Sequence, residues 1–406
     1  MCEISIPKKP SIELADLFLT HAHQYIEQHG VSVVQNKAIK AISQCRTAAL
    51  GGHVARCNHC GRENISYNSC RYRYCPKCQT THQLRWLENR KAELLPVEYF
   101  HVVFTIPHEL NALASYNASV IYNLLFQSAW ATIRTLGQDK KRLNGQMGML
   151  SFLHTWGQNL GQHIHLHCLV PGGALQSNTK QKKIWHPVKS SYLFSVKVMS
   201  SLFGKYFREG IKKAYQNKVF TFKNAIAQYA KPNQFSALMS LLTKKNWNVY
   251  AKAPFNGAEG GLEYLARYVS KTAISNHRLV SCENGKVTFK WRDYSDGNKQ
   301  KLMTLEAHEF IRRYLSHILP DGFMRVRSFG FLSNACKSKN IDLIKALIHP
   351  HQTRILAIKV KESSVELIKR LTGINVELCK HCKIGHLQKI ISLPSKPPCH
   401  TYWNTS

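Results

Sequence analysis

Acidic residues are scarce in this chain: 23 Asp and Glu stand against 56 Lys and Arg in 406 residues, a formal net charge of +33. Such a field draws polyanions and makes their binding strongly salt-dependent, so nucleic acid is the expected partner. An inert basic surface is the poorer reading, because much of the excess lies beside cysteine pairs. Long apolar runs are missing as well, which excludes a membrane-spanning helix. Met1 to Pro10 lacks the apolar stretch of a secretion signal, so a reducing cytoplasm is the expected location. There is no internal repeat and no low-complexity tract. A hydrophobic content of 44% with 10% aromatics is globular rather than disordered, and the length suits two or three domains.

What the chain does have is cysteine. Of 13 cysteines, six form three Cys-x-x-Cys pairs, a pattern that in a reducing compartment points to metal rather than to disulfides. Cys57-x-x-Cys60 and Cys75-x-x-Cys78 lie fourteen residues apart, the spacing of a four-thiolate zinc ribbon. Structural Zn²⁺ on these four is the expectation, since so short a segment cannot fold on hydrophobic burial alone. Cys45, Cys70, His53 and His59 stand near enough to replace a ligand or join a second ion. Cys379-x-x-Cys382, with His386, Cys399 and His400 nearby, is a less regular candidate for a second knuckle. Between Arg56 and Lys91 there are eight Lys or Arg and two acidic residues, with Tyr67, Tyr72, Tyr74 and Trp86 interleaved. Cations for phosphates and rings for bases make this a DNA-binding module, with Arg56, Arg71, Arg73 and Lys77 as its candidate contacts.

Helical periodicity runs from Ile12 to about Thr47 with a break at Gly30, and resumes from Leu84 until Pro96. Phe100 to Ile106 reads as a strand, Leu113 to Leu136 as one long helix, Met149 to Trp156 and His163 to Val170 as strands. Residues 176–190 read as a polar loop. Helices are expected around 193–215 and 234–243, then a strand from Trp247 to Ala253. A helix from about Gly261 to Lys271 precedes short strands near 279 and 289. The order is α+β. Its expected parts are a helical lead-in over 1–50, a zinc- and DNA-binding module over 51–95, a catalytic domain over 96–330 and a basic C-terminal region over 331–406.

Within His163 to Val170, strand alternation sends His163, His165 and His167 to one face, and Ile164, Leu166, Cys168 and Val170 to the other. Three imidazoles in strict alternation call for a cation or an anion as partner. In Glu263 to Lys271, Tyr264 and Tyr268 are i and i+4, well away from the packing stripe of Leu262, Leu265 and Val269, with Lys271 on their side. A phenol with a pKa of about 10 needs a cation or base to become a nucleophile, and Lys271 and a histidine-bound ion supply that. Such an ion, held by His165 and His167, suits a scissile phosphate and in-line attack by tyrosine.

At this point the chain resembles the HUH endonucleases, named for His-hydrophobe-His, and within them the two-tyrosine rolling-circle transposases of the insertion-sequence ninety-one family. The resemblance covers about residues 40–335. It rests on Cys45-Arg46-Thr47, Gly51-Gly52-His53-Val54, Tyr67-Asn68-Ser69-Cys70-Arg71 and Cys75-Pro76-Lys77-Cys78 in the first part. Leu153-His154-Thr155-Trp156-Gly157-Gln158, His165-Leu166-His167-Cys168 and Tyr264-Leu265-Ala266-Arg267-Tyr268 follow in the second.

The resemblance implies an HUH-endonuclease antiparallel sheet with flanking helices, preceded by a helical and zinc-ribbon domain. It implies a transposase that nicks single-stranded DNA at element ends, links to the 5′ phosphate through tyrosine and leaves a 3′ hydroxyl. His165 and His167 then bind Mg²⁺ or Mn²⁺ with a third polar ligand, Tyr264 and Tyr268 are nucleophiles, and Arg267 joins the DNA contacts. Partners are single-stranded DNA at transposon ends and target, with host replication proteins. The third ligand is unmarked; His154 and Gln158 are the candidates, and His163 is a further one. Where a histidine and an arginine are expected after the tyrosine helix, this chain has Ser270-Lys271. The rival readings are an HUH replication initiator with the same chemistry and a non-catalytic zinc-dependent DNA-binding protein.

Overall fold

A computed structural model of the chain describes residues 10–177, 182–188, 192–252, 260, 272–349 and 362–396. The periodicity after Ile12 folds as two helices, α1 (Leu14–His29) and α2 (Val33–Gln44). They part at Gly30, whose φ of +65° suits a residue without a Cβ, and Ser32 caps α2 by accepting from the Gln35 amide. A hairpin of β1 (Gly52–Cys57) and β2 (Glu63–Tyr67) follows, then α3 (Thr80–Lys91).

The centre of the molecule is a five-stranded antiparallel sheet. It comprises β3 (Tyr99–Thr105), β4 (Gly148–Trp156), β5 (Gln162–Pro171), β8 (Val249–Lys252) and β12 (Val326–Gly330), in the order β12-β4-β5-β3-β8. The expected α+β class and antiparallel pairing are therefore what the chain adopts. On one face Ile164, Leu166, Cys168, Val170 and Phe104 are buried beneath α5 (Ala118–Gly137) and α6 (Val196–Gln216), and Phe104 meets Phe203 at 5.0 Å between ring centroids. Burying each large apolar chain contributes about 1.5–3 kcal/mol, which fixes this face as the inner one. The opposite face is divided. At one end Tyr99, Leu150, Phe152 and Leu169 form a second, smaller core with Ile341 and Ile344 of α9 (Lys337–Ile348), and Trp86 and Leu87 of α3 pack against it. Among the described residues the other end stays open, and it carries histidines.

Three differences from the expected elements have local causes. The single helix over 113–136 is split into α4 (Asn111–Tyr116) and α5 by Asn117, which leaves helical geometry at φ −132°. The polar loop over 176–190 contains a hairpin, β6 (Gly173–Ser177) with β7 (Lys183–Pro187); β7 buries almost nothing, so no alternation betrays it. The strands near 279 and 289 are β9 (Leu279–Glu283) and β10 (Lys286–Asp293), extended by a largely exposed third strand, β11 (Lys299–Glu306). The remaining α-helices among the described residues are α7 (Pro232–Lys244), α8 (Ala307–Leu315) and α10 (Ser364–Thr372). The helix expected over 261–271 lies outside the described residues.

The N-terminal part is fastened to the rest by buried hydrogen bonds: Tyr314 of α8 donates to the Tyr74 carbonyl at 2.7 Å, and the Leu319 amide donates to the Tyr74 hydroxyl at 2.8 Å. The C-terminal strand β13 (Leu387–Leu393) pairs antiparallel with β1, so the last described strand completes a sheet begun near residue 52. No described helix is long and apolar enough to cross a membrane.

Candidate active site

The open end of the sheet owes its chemistry to register. His163, His165 and His167 share one face of the central strand β5, and antiparallel pairing sets His154 of β4 directly beside His165. On the other side β3 brings His101 opposite Leu169, diagonal to His167. The ligating nitrogens of His154, His165 and His167 all lie within 4.8 Å of one another. His163 is exposed and lies outside this group, although its ring is 4.7 Å from that of His165.

Hydrogen bonds constrain the protons. His165 Nδ1 lies 2.7 Å from the His163 carbonyl; a carbonyl only accepts, so Nδ1 carries the proton and Nε2 keeps its lone pair. His167 Nε2 lies 3.1 Å from His165 Nε2, while its Nδ1 lies 2.9 Å from His101 Nε2. Burial, which penalises the charged form, brings both His165 and His101 down to about 4, so each is neutral near pH 7. Two cis nitrogens on one octahedral ion at about 2.1 Å stand about 3.0 Å apart. The 3.1 Å separation of the two Nε2 atoms matches that geometry.

These imidazoles open onto a cleft of about 970 Å³, whose walls include Trp156, Gln158, Tyr250, Thr272, Arg278 and Tyr294. Trp156 stacks on His154 at 4.9 Å. The Gln158 side chain donates to the Tyr294 hydroxyl at 3.1 Å, and Arg278 donates to the Gln158 carbonyl. A larger cleft of about 1110 Å³, around Asn159, Arg312 and Arg313, holds none of the metal-ligating clusters found among the described residues. The clustered imidazoles therefore lie in the smaller one.

Tyr264, Arg267, Tyr268 and Lys271 lie outside the described residues. Among the cations expected to meet DNA, Arg56 is exposed and paired with Glu63 at 2.7 Å, and Arg71 sits in a loop at φ +54°. Arg73 donates to the Phe323 carbonyl at 2.9 Å and Lys77 pairs with Glu13, so these two are engaged within the chain.

The cysteines are grouped differently from the expected ribbon. Cys57 and Cys60 do not share a centre with Cys75 and Cys78. One group comprises Cys45, Cys70, Cys75 and Cys78, and the other Cys57, Cys60, Cys379 and Cys382, with the sulfurs of each within 4.8 Å of one another. The reason is topological. The end of α2 holds Cys45 against the loop after β2, where the Cys75 knuckle folds back, while β13 delivers the Cys379 knuckle to the far end of β1. His53 and His59 belong to neither group, and Cys399 and His400 lie outside the described residues. Sulfurs on one tetrahedral zinc at about 2.3 Å stand about 3.8 Å apart. Cys70 and Cys78 are 3.7 Å apart, and no described cysteine forms a disulfide.

His101 escapes a sequence reading because its strand shows no histidine pattern; only the pairing of β3 with β5 brings it to His167. Cys379 and Cys382 are visible as a pair, but nothing in their spacing reveals a partner more than three hundred residues upstream.

Comparison with known proteins gives two family matches, "Putative transposase" over residues 148–339 and "Transposase zinc-binding domain" over residues 17–106. The chain is 40% identical to "Putative transposase y4qJ" of Sinorhizobium fredii (strain NBRC 101917 / NGR234), over 97% of this chain and 98% of that one. It is 25% identical to "Transposase for insertion sequence element IS801" of Pseudomonas savastanoi pv. phaseolicola, over 76% of this chain and 73% of the other. No solved structure matches it significantly.

Proposed function

Because this chain belongs to the IS91 family of insertion-sequence transposases, with the zinc-binding domain of that family at its N-terminal end, we propose that it nicks and rejoins single-stranded DNA at element ends through a 5′-phosphotyrosine link. The observation that carries this reading is the convergence of His154, His165 and His167 on one cleft, each imidazole presented by a rigid strand. Mg²⁺ or Mn²⁺ held there would polarise the scissile phosphate and stabilise the charge that builds on it. His154 is the third ligand in this reading, since the Gln158 side chain is turned to Tyr294.

The chain's own groups do the rest. The His163 carbonyl holds the His165 ring with Nε2 facing the cleft, and His101 accepts the Nδ1 proton of His167 so that its Nε2 also faces inward. Tyr250 and Thr272, on either side of the segment that carries Tyr264 and Tyr268, both line the cleft, which supports these tyrosines as its nucleophiles. In the cleavage step one phenol oxygen forms a bond to phosphorus and the bond from phosphorus to the 3′ oxygen breaks. The phenol gives up its proton as its oxygen attacks, Lys271 offsets the phenolate charge meanwhile, and a proton passes to the 3′ oxygen, which leaves as a hydroxyl with no net change in protons. The ester retains the energy of the phosphodiester, so a 3′ hydroxyl can reverse the step and rejoin the strand without ATP. A second tyrosine lets one site carry two strand ends. Cys45, Cys70, Cys75 and Cys78 hold structural Zn²⁺ in the N-terminal domain. Cytoplasmic action on DNA with host replication proteins completes the reading.

Single-stranded DNA bearing the element's end, incubated with protein and Mg²⁺ or Mn²⁺, should yield a covalent adduct on the 5′ side. Tyr264→Phe with Tyr268→Phe should abolish the adduct and spare DNA binding. An undiminished adduct in that double variant removes these tyrosines from the mechanism, and binding without cleavage by the unaltered protein favours a non-catalytic DNA-binding role.

A further inference from the structure

The Cys57, Cys60, Cys379 and Cys382 group joins the two ends of the chain. Its closest cross-pairs, Cys57 with Cys382 at 3.7 Å and Cys60 with Cys379 at 3.9 Å, are separated by 325 and 319 residues. Both distances bracket the edge of about 3.8 Å expected of a tetrahedral zinc thiolate, and both are far beyond a disulfide bond of about 2.05 Å.

The two knuckles are built alike. After the second cysteine of each comes a residue in the left-handed region, Gly61 at φ +69° and Lys383 at φ +57°. Each of these residues donates its amide to the carbonyl of the first cysteine, at 3.0 Å to Cys57 and 2.9 Å to Cys379. The knuckles also bond to each other: the Asn58 amide donates to the His386 carbonyl at 3.0 Å, and the His386 amide to the Asn58 side chain at 2.8 Å. Gly385 makes this approach possible, because a Cβ there would stand 2.5 Å from the Cys57 sulfur. Such repetition is the architecture of a ribbon whose two halves come from opposite ends of the sequence.

Hydrophobic burial cannot hold β13 in place. Five of its seven residues are exposed, among them Ile390 and Ile391. Pairing with β1 supplies backbone hydrogen bonds, but a small sheet with so little apolar burial needs another source of stability.

We propose that Cys57, Cys60, Cys379 and Cys382 bind a second zinc ion, which clasps the C-terminal strand onto the N-terminal hairpin. Binding releases the thiol protons and leaves four thiolates around the ion, with Lys380 and Lys383 inside the C-terminal knuckle to offset the excess negative charge. A chain that stops before Cys379 has two of the four ligands, too few for a closed structural site. The hairpin that carries Arg56 is then completed only once the segment from Cys379 to Leu393 is present. This site lies outside the matched family regions in its C-terminal half and is independent of the tyrosine chemistry.

The test is elemental analysis of the purified full chain. Two zinc ions per chain are expected, falling to one in Cys379→Ser with Cys382→Ser. Cys57→Ser with Cys60→Ser should lose the same single ion, and combining all four changes should remove no more. Hydrogen exchange should show loss of amide protection across Leu387–Leu393 in either double variant. Should a variant fail to fold, alkylation of the unaltered, zinc-loaded protein decides: Cys57, Cys60, Cys379 and Cys382 should be protected, then react together as a chelator is added. Two ions retained in the Cys379 and Cys382 variant, ready alkylation of those thiols in the loaded protein, or a disulfide between the knuckles overturns the clasp.

Discussion

On the proposed reading, His101 touches no donor atom of the metal-binding imidazoles, yet it decides how one of them is presented. Its Nε2 lies 2.9 Å from His167 Nδ1, and only as an acceptor does it leave His167 Nε2 free to bind an ion. His101→Phe should therefore weaken Mn²⁺ binding by about 10–100-fold, while His101→Gln, which restores an acceptor, should recover much of it. Calorimetric titration of the folded protein measures both, and equal affinity in all three forms would remove His101 from the site. At this scale the sequence was informative about chemistry and silent about company. His163, His165 and His167 share a face by alternation alone, because a strand's period is independent of what surrounds it, but alternation does not set His163 apart from the other two. The place of His101, and the ties of Arg73 to Phe323 and of Lys77 to Glu13, are not legible, because a partner distant in sequence leaves no mark on the residues themselves.

Elements differ in how much of their cause is local. The Gly30 break between α1 and α2 needs only a left-handed backbone and a capped start, so it can be read directly. The break between α4 and α5 cannot. Asn117 is buried and donates to the Leu113 and Thr221 carbonyls at 3.2 and 3.0 Å, while its oxygen accepts from the Thr221 amide at 2.7 Å. A contact 104 residues away thus interrupts an apolar run that otherwise reads as one helix. Asn117→Ala strands the Thr221 amide in a part-buried place and should cost about 1–3 kcal/mol, measured as a lower midpoint in urea. An unchanged midpoint would mean that the break is set by the flanking packing instead. The hairpin of β6 and β7 and the strand β11 are less legible for the opposite reason: β7 is largely exposed, and in β11 the apolar Leu302 faces solvent between half-buried Lys301 and Met303, so burial alternates there without a matching apolar pattern.

For the whole molecule the dominant quantity is charge. An excess of +33 over the whole chain predicts that DNA is held first through its phosphates. With about six phosphates neutralised on a single strand, affinity should fall about three-hundred-fold between about 50 and 200 mM salt. Fluorescence anisotropy with a labelled oligonucleotide reads that slope, and a flat response would mean that stacking, not charge, carries the binding. The α+β class, the transposase resemblance, the histidine strand and the thiol pairs all followed from the sequence, because periodicity, spacing and net charge are properties of the chain itself. Which thiols cluster, which imidazole stands nearest to His165 and His167, and which end of the sheet carries the histidines are set only by the tertiary structure. Each of those depends on strand order and register, and these arise from the burial of one sheet face against helices far away in sequence, a collective outcome that no local pattern encodes.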